Sequence, residues 1–78
     1  MDKLKYSLEI EQFGIKLKEI RLNRNLTQQS LSSLCDIDVR TIQRIEKGEQ
    51  NITLKILFAL ANSLEIHPAE LIQFSIEN

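Results

Sequence analysis

The chain has one cysteine, one proline, two glycines, one histidine and no tryptophan in 78 residues. Each scarcity removes a class of protein. A lone Cys35 excludes an internal disulfide and any multi-cysteine zinc site. His67 has no cluster of ligands around it, and Gly14 and Gly48 are too few and too far apart for a glycine-rich phosphate loop. No apolar run approaches the roughly 18 residues that a membrane helix requires. The opening residues MDKLKYSLEIEQ lack the long apolar core and small-residue cleavage site of a secretory signal. A cytoplasmic protein with no metal, no cofactor and no small-molecule ligand is expected. No nucleophile, base or metal cluster speaks for an enzyme.

Net charge is also small, at −1, without the basic excess usual in a nucleic-acid binder. Its distribution is uneven. Lys16 to Lys47 holds seven basic and four acidic residues, for a net +3, whereas the residues from Gly48 onward hold one and four, for a net −3. RTIQRIEKG, residues 40–48, sets three of the ten basic side chains around Ile42 and Ile45.

Apolar spacing is helical throughout, and no strand pattern competes. Phe13, Leu17 and Ile20 recur at four and three, which predicts a first helix from about Glu11 to Arg24, with Ile10 as a possible extension. Thr27 is a suitable N-cap for a second helix with Leu31, Leu34 and Cys35 on one face. Asp38 then caps a third, with Ile42 and Ile45 inward and Gly48 past its end. Thr53 caps a fourth, LKILFALANSL. Leu54, Leu57, Leu60, Ala61 and Leu64 line one side of it, and Ile56 and Phe58 extend its apolar surface, so burial on several sides is expected. His67-Pro68 starts a fifth, with Pro68 at its first position and Leu71, Ile72, Phe74 and Ile76 apolar. The expected architecture is all-α: a compact bundle of five short helices. Residues 1–10 form an arm or helix extension, 11–74 the domain and 75–78 a tail.

Counting from Gln28 as the first residue of helix two, apolar residues fall at places four, eight, ten, fifteen and eighteen: Leu31, Cys35, Ile37, Ile42 and Ile45. Place five is the small Ser32 and place nine is Asp36. Two short helices that cross steeply through a three-residue turn need a small residue at their contact. They also need a left-handed residue in the turn, which Asp tolerates better than most. The spacing is that of a helix-turn-helix.

With IRLNRNLTQQSLS, CDIDVRTIQRIEKG and LKILFALANSLEIHPAELI, the chain resembles the lambda-repressor-like, Cro-type (XRE) DNA-binding domains from about Phe13 to Ile72. Three positions depart from the family pattern: Asp36 replaces Gly, Ser32 replaces Ala, and Ile52 stands where many members have Pro.

The resemblance implies that helix three enters the major groove of double-stranded DNA. Val39, Arg40, Gln43 and Arg44 would meet base edges, the arginines on guanine, Gln43 on adenine and Val39 on a thymine methyl. Val39 is equally open to leaning on a neighbouring helix. Gln28, Thr41, Lys47, Gln50 and Asn51 would meet phosphates. Lys16, Lys18 and Arg24 read more simply as solubilising charges. Arg21 and Glu46 match positions that form an ion pair in similar proteins, here expected to orient helix three and leave the guanidinium near a phosphate. A homodimer is implied, with Ile66, Leu71, Ile72, Phe74 and Ile76 as its contact surface.

The function implied is a sequence-specific transcriptional regulator, a repressor or autoregulator that reads a two-fold-related site. Phage-type repressors, antitoxins and restriction–modification controllers are all settings for such a domain, and EKGEQNITLKIL, without the usual Pro, looks somewhat like the controllers. The competing reading is a protein-interaction module that binds a partner through helices four and five.

Overall fold

A computed structural model describes residues 5–74. Four α-helices follow one another, α1 (Ser7–Asn23), α2 (Gln28–Cys35), α3 (Val39–Glu46) and α4 (Leu54–Leu64), before a 3-10 turn over Pro68–Leu71. Among the described residues there is no strand, and no helix is long and apolar enough to cross a membrane.

The fifth expected helix is therefore a single turn. Proline at its start supplies no N–H, and the segment closes with i to i−3 bonds, Glu70 N–H to His67 O (2.9 Å) and Ile72 N–H to Ala69 O (3.2 Å). His67 caps it, its Nδ1 accepting from Ala69 N–H at 3.0 Å. The first helix begins at Ser7, a turn before the expected Glu11.

Two of the three expected caps close as threonine caps do. The Thr27 hydroxyl accepts from Ser30 N–H at 3.0 Å and Thr53 from Ile56 N–H at 3.1 Å. Asp38 makes no side-chain cap bond. Thr41 N–H, a natural target for that carboxylate, bonds instead to the Asp38 carbonyl at 3.0 Å.

All four α-helices stop in the same manner. A left-handed residue (Asn25, Asp36, Gly48, Glu65) is followed by one whose N–H reaches back five positions. These bonds run from Leu26 to Arg21 O, Ile37 to Ser32 O, Glu49 to Arg44 O and Ile66 to Ala61 O. This is the Schellman arrangement, which is reinforced when the residue after the left-handed one is apolar. Leu26, Ile37 and Ile66 are apolar and pack against the core. The helix-turn-helix bend is the second of these stops. The Ser32 hydroxyl adds a 2.5 Å bond to the Ile37 carbonyl across it, so Ser32 closes the turn as well as fitting it.

The core gathers Leu17 of α1, Leu31 of α2, Ile42 and Ile45 of α3, Leu60 and Leu64 of α4, and Leu71, all at or near zero exposure. Three apolar expectations fail. Leu34 is exposed, because α2 turns Leu31 and Cys35 inward and leaves Leu34 on its outer flank. Leu54 and Phe58, one turn apart on α4, are also exposed. That helix is buried along Leu57, Leu60, Ala61 and Leu64 only. Cys35 is half-buried, and burial raises its thiol above the ordinary value, so it stays protonated near neutral pH.

Candidate nucleic-acid interface

With Ile42 and Ile45 anchoring α3 in the core, the opposite side of that helix turns outward. Arg40, Gln43, Arg44 and Lys47 are exposed on it, and Val39 is half-buried at its first turn. Positions 40, 43, 44 and 47 fall on one helical face. The face carries three positive charges and one amide that can both donate and accept.

Next to it stands a tie between three helices. Arg21 of α1 grips Glu46 of α3 with two bonds, Nε to Oε2 at 2.7 Å and Nη2 to Oε1 at 3.0 Å. Its Nη1 donates to the Leu26 carbonyl at 2.7 Å, in the bend after α1. From α2, Gln28 Nε2 donates to Glu46 Oε1 at 2.9 Å. The two charged side chains are only 6% and 4% exposed, so both are desolvated and depend on each other. Every nitrogen of the guanidinium is bonded inside the chain. Three of its five N–H groups are used in this way, on Glu46 and the Leu26 carbonyl.

Gln28 occupies the first position of α2, where backbone N–H groups lack intrahelical partners. Its amide nitrogen has one hydrogen on Glu46 and a second remaining. A polar cleft lined by Lys18, Gln28, Gln43, Glu46 and Lys47 lies beside this point. Lys18, read from sequence as a solubilising charge, lines the same cleft as Gln43. Thr41 is half-buried on the flank of α3. Past its end, Gln50 Nε2 donates to the Asn51 carbonyl at 3.2 Å, and Asn51 is exposed.

The residues expected at a dimer contact do not share one surface. Leu71 is wholly buried in the core and Ile66 packs against it, because each anchors the chain as it leaves α4. Ile76 lies outside the described residues. Ile72 is 55% exposed and lines an apolar groove with Phe74, Phe13, Ile52 and Leu54. Leu54 is 69% exposed. Its contribution was missed because its spacing on α4 matches the buried side.

A bent helix pair with a basic outer face, locked to a third helix by a buried ion pair, defines a helix-turn-helix DNA-binding transcriptional regulator. The helix-turn-helix family HTH_3 matches residues 17–71, and the chain belongs to it. It is 33% identical over 64 residues to the control protein C.BamHI of Bacillus amyloliquefaciens, a match that spans 81% of this chain and 79% of that one. The crystal structure of the restriction-modification controller protein C.AhdI from Aeromonas hydrophila superposes with a TM-score of 0.81 at 33% identity, covering 82% of this chain and 97% of that one. An HTH_3 family transcriptional regulator from Vibrio cholerae gives 0.80 at 25% identity, over 83% of this chain and 36% of the other.

Proposed function

We propose that this regulator binds a two-fold-related DNA site as a homodimer and controls a restriction–modification operon, its own gene included. The observation that carries the reading of DNA is the exposed row Arg40, Gln43, Arg44 and Lys47 on a helix whose other side is locked in the core. Arg40 and Arg44 donate to guanine, Gln43 bonds adenine, and Val39 touches a thymine methyl at the edge of the contact. The α2 backbone N–H groups and the outward hydrogen of Gln28 take a phosphate. Thr41, Lys47, Gln50 and Asn51 take others, and these fix register without reading sequence. The setting is supported by two relatives that are named as controllers.

Footprinting on the DNA upstream of the chain's own gene tests this. Arg40→Ala and Gln43→Ala each weaken binding to the preferred site by about 1–3 kcal/mol and relax base preference at one position per half-site. Lys47→Ala weakens all sequences alike and lowers the slope of log K against log salt by about 0.9. Unchanged site preference in both α3 variants refutes the assignment. Binding that ignores salt points to a protein partner instead.

The homodimer is formed through Ile72, Phe74 and, in addition to the sequence-based set, Leu54 and Phe58 of α4. Ile72, Phe74 and Leu54 line one apolar groove, Phe58 is exposed one turn along α4 from Leu54, and the two-fold copy sets half-sites about 34–36 Å apart. Ile72→Asp yields a monomer in sedimentation at micromolar protein with little change in melting temperature, since the side chain is not in the core. A dimer that persists at micromolar protein rules this surface out.

A further inference from the structure

Lys16, Lys18 and Arg24, on and just past α1, read alike from sequence as solubilising charges, but the structure separates them. Lys16 pairs with Glu19 at 3.8 Å. Arg24 donates to the Glu65 carboxylate and to the Glu65 carbonyl, both at 3.3 Å. Lys18 has no ion-pair partner among the described residues. It is exposed on α1, one turn before Arg21. It lines the polar cleft that Gln28 of α2 and Gln43, Glu46 and Lys47 at the end of α3 complete. Two lysines and two amides are thus brought to one place from three parts of the chain.

We propose that this cleft seats one phosphodiester of the DNA backbone with Lys18 as one of its ligands, an inference that rests on the reading of DNA by α3. Charge decides what the cleft can hold. Its one carboxylate, Glu46, accepts two hydrogen bonds from Arg21 and one from Gln28, and its side chain is 4% exposed. Arg21 therefore matches the charge of Glu46 before any ligand arrives. With that pair cancelled, Lys18 and Lys47 leave the cleft at +2. Gln28 keeps one amide hydrogen beyond the one on Glu46. Ammonium and amide N–H groups donate, and the non-bridging oxygens of a phosphodiester accept. Position decides the source of the phosphate. Gln43 and Lys47 belong both to the cleft and to the outward row of α3. A duplex that lies on that row carries one backbone along its edge, where Lys18 stands on the α1 side. Lys18 and Lys47 then hold one phosphate from two helices, which sets the depth of α3 in the groove without reading a base.

A seated cation leaves a signature that a diffuse charge lacks. A lysine that only adds to the field acts on every phosphate within a Debye length, about 8 Å at physiological salt. Lys18 in the cleft acts on one phosphate, the same one that Lys47 holds.

Duplexes that carry a neutral methylphosphonate at one backbone position at a time test this. For the natural chain, the substitution at one position per half-site weakens binding about five- to tenfold near 0.1 M salt. In Lys18→Ala most of that effect disappears at that position and at no other, since cation and phosphate act as a pair. On unmodified DNA, Lys18→Ala weakens all sequences alike by up to about tenfold. Lys16→Ala, the same loss of charge on the same helix, weakens them by roughly twofold at most. Lys16 and Lys18 are not in the core, and unchanged melting temperatures confirm that both variants fold. Lys18→Ala that matches Lys16→Ala, or that keeps the whole methylphosphonate effect, overturns the inference and leaves the reading by α3 standing. DNA binding by the natural chain that ignores salt overturns both. Inorganic phosphate separates the two sources of the anion. At matched ionic strength it is expected to raise the melting temperature no more than chloride does. A saturable rise that Lys18→Ala removes, with no effect of Lys18 on DNA, assigns the cleft to a free anion instead.

Discussion

Arg21→Ala is expected to lower the melting temperature by at least about 12 °C, a large effect for a single substitution in a domain this small. Its removal leaves the Glu46 carboxylate buried without its cation, and breaking one side of a buried pair costs roughly 3–5 kcal/mol. In a domain of 60–100 residues, each kcal/mol is worth about 4–8 °C. The total stability of such domains is only about 5–15 kcal/mol, so partial unfolding at 37 °C is an expected readout too. The Leu26 carbonyl loses its donor as well. Arg21→Lys recovers only part of the loss, because an ammonium cannot hold both Glu46 oxygens and the Leu26 carbonyl in one plane. Arg21→Met combined with Glu46→Met removes both charges and is far less damaging than either truncation alone, since a well-packed apolar pair often matches a buried ionic one. Thermal scans of the three variants decide this. A change in Arg21→Ala of only a few degrees shows that the pair is no structural tie. Orientation separates from stability in the double variant, where the fold persists but Gln28 loses its acceptor. DNA affinity then falls beyond what the melting temperature implies.

The helix-turn-helix was legible because its constraints are local. The apolar spacing from Leu31 to Ile45 and the Asp36 turn describe two short helices and the bend between them, and the structure places each of these residues as its spacing requires. The sequence placed the ends of helices one and four at about Arg24 and at Leu64, as the structure has them to within a residue, but the left-handed residues that follow, Asn25 and Glu65, were not legible. Their left-handed backbone is imposed by Leu26 and Ile66, which must reach the core immediately afterwards. Glutamate carries no propensity that would announce such a role. Exposure at Leu34, Leu54 and Phe58 was equally hidden, since helical periodicity gives a direction and not the presence of a neighbour in that direction. The Arg21–Glu46 tie spans 25 positions of sequence. Only family resemblance suggested it, and the third arm from Gln28 had no signal at all, because an amide at a helix start is equally suited to solvent, phosphate or a carboxylate.

Gly14 is the position from which the recognition helix can be moved with the smallest chemical change. Glycine inside a helix normally weakens it by about 1 kcal/mol relative to alanine, so a Gly14→Ala substitution judged on α1 alone would stabilise. Packing reverses the sign. A Cβ at this position overlaps the Ile45 carbonyl oxygen and comes within 3.0 Å of the Glu46 carbonyl oxygen, both on the last turn of α3. These are backbone atoms of a helix anchored by Ile42 and Ile45 in the core and by Glu46 on Arg21, so neither can rotate aside as a side chain would. Relief requires α1 and α3 to separate along the line that holds the ion pair. Overpacking of this kind costs about 1–3 kcal/mol, and the stretched Arg21–Glu46 contact adds to it. The expected result is a drop in melting temperature of at least about 5–10 °C together with a loss of specific DNA affinity larger than that of Lys47→Ala. The second effect follows because displacing α3 misplaces Arg40, Gln43 and Arg44 together. Gly14→Ala with unchanged or raised stability would show that the two helices give way at no cost. Gly14→Ser serves as the control, since its Cβ makes the same overlap and its hydroxyl does not relieve it. Equal losses in the two variants assign the effect to the Cβ, and with it to the approach of α1 that sets the angle at which α3 is presented.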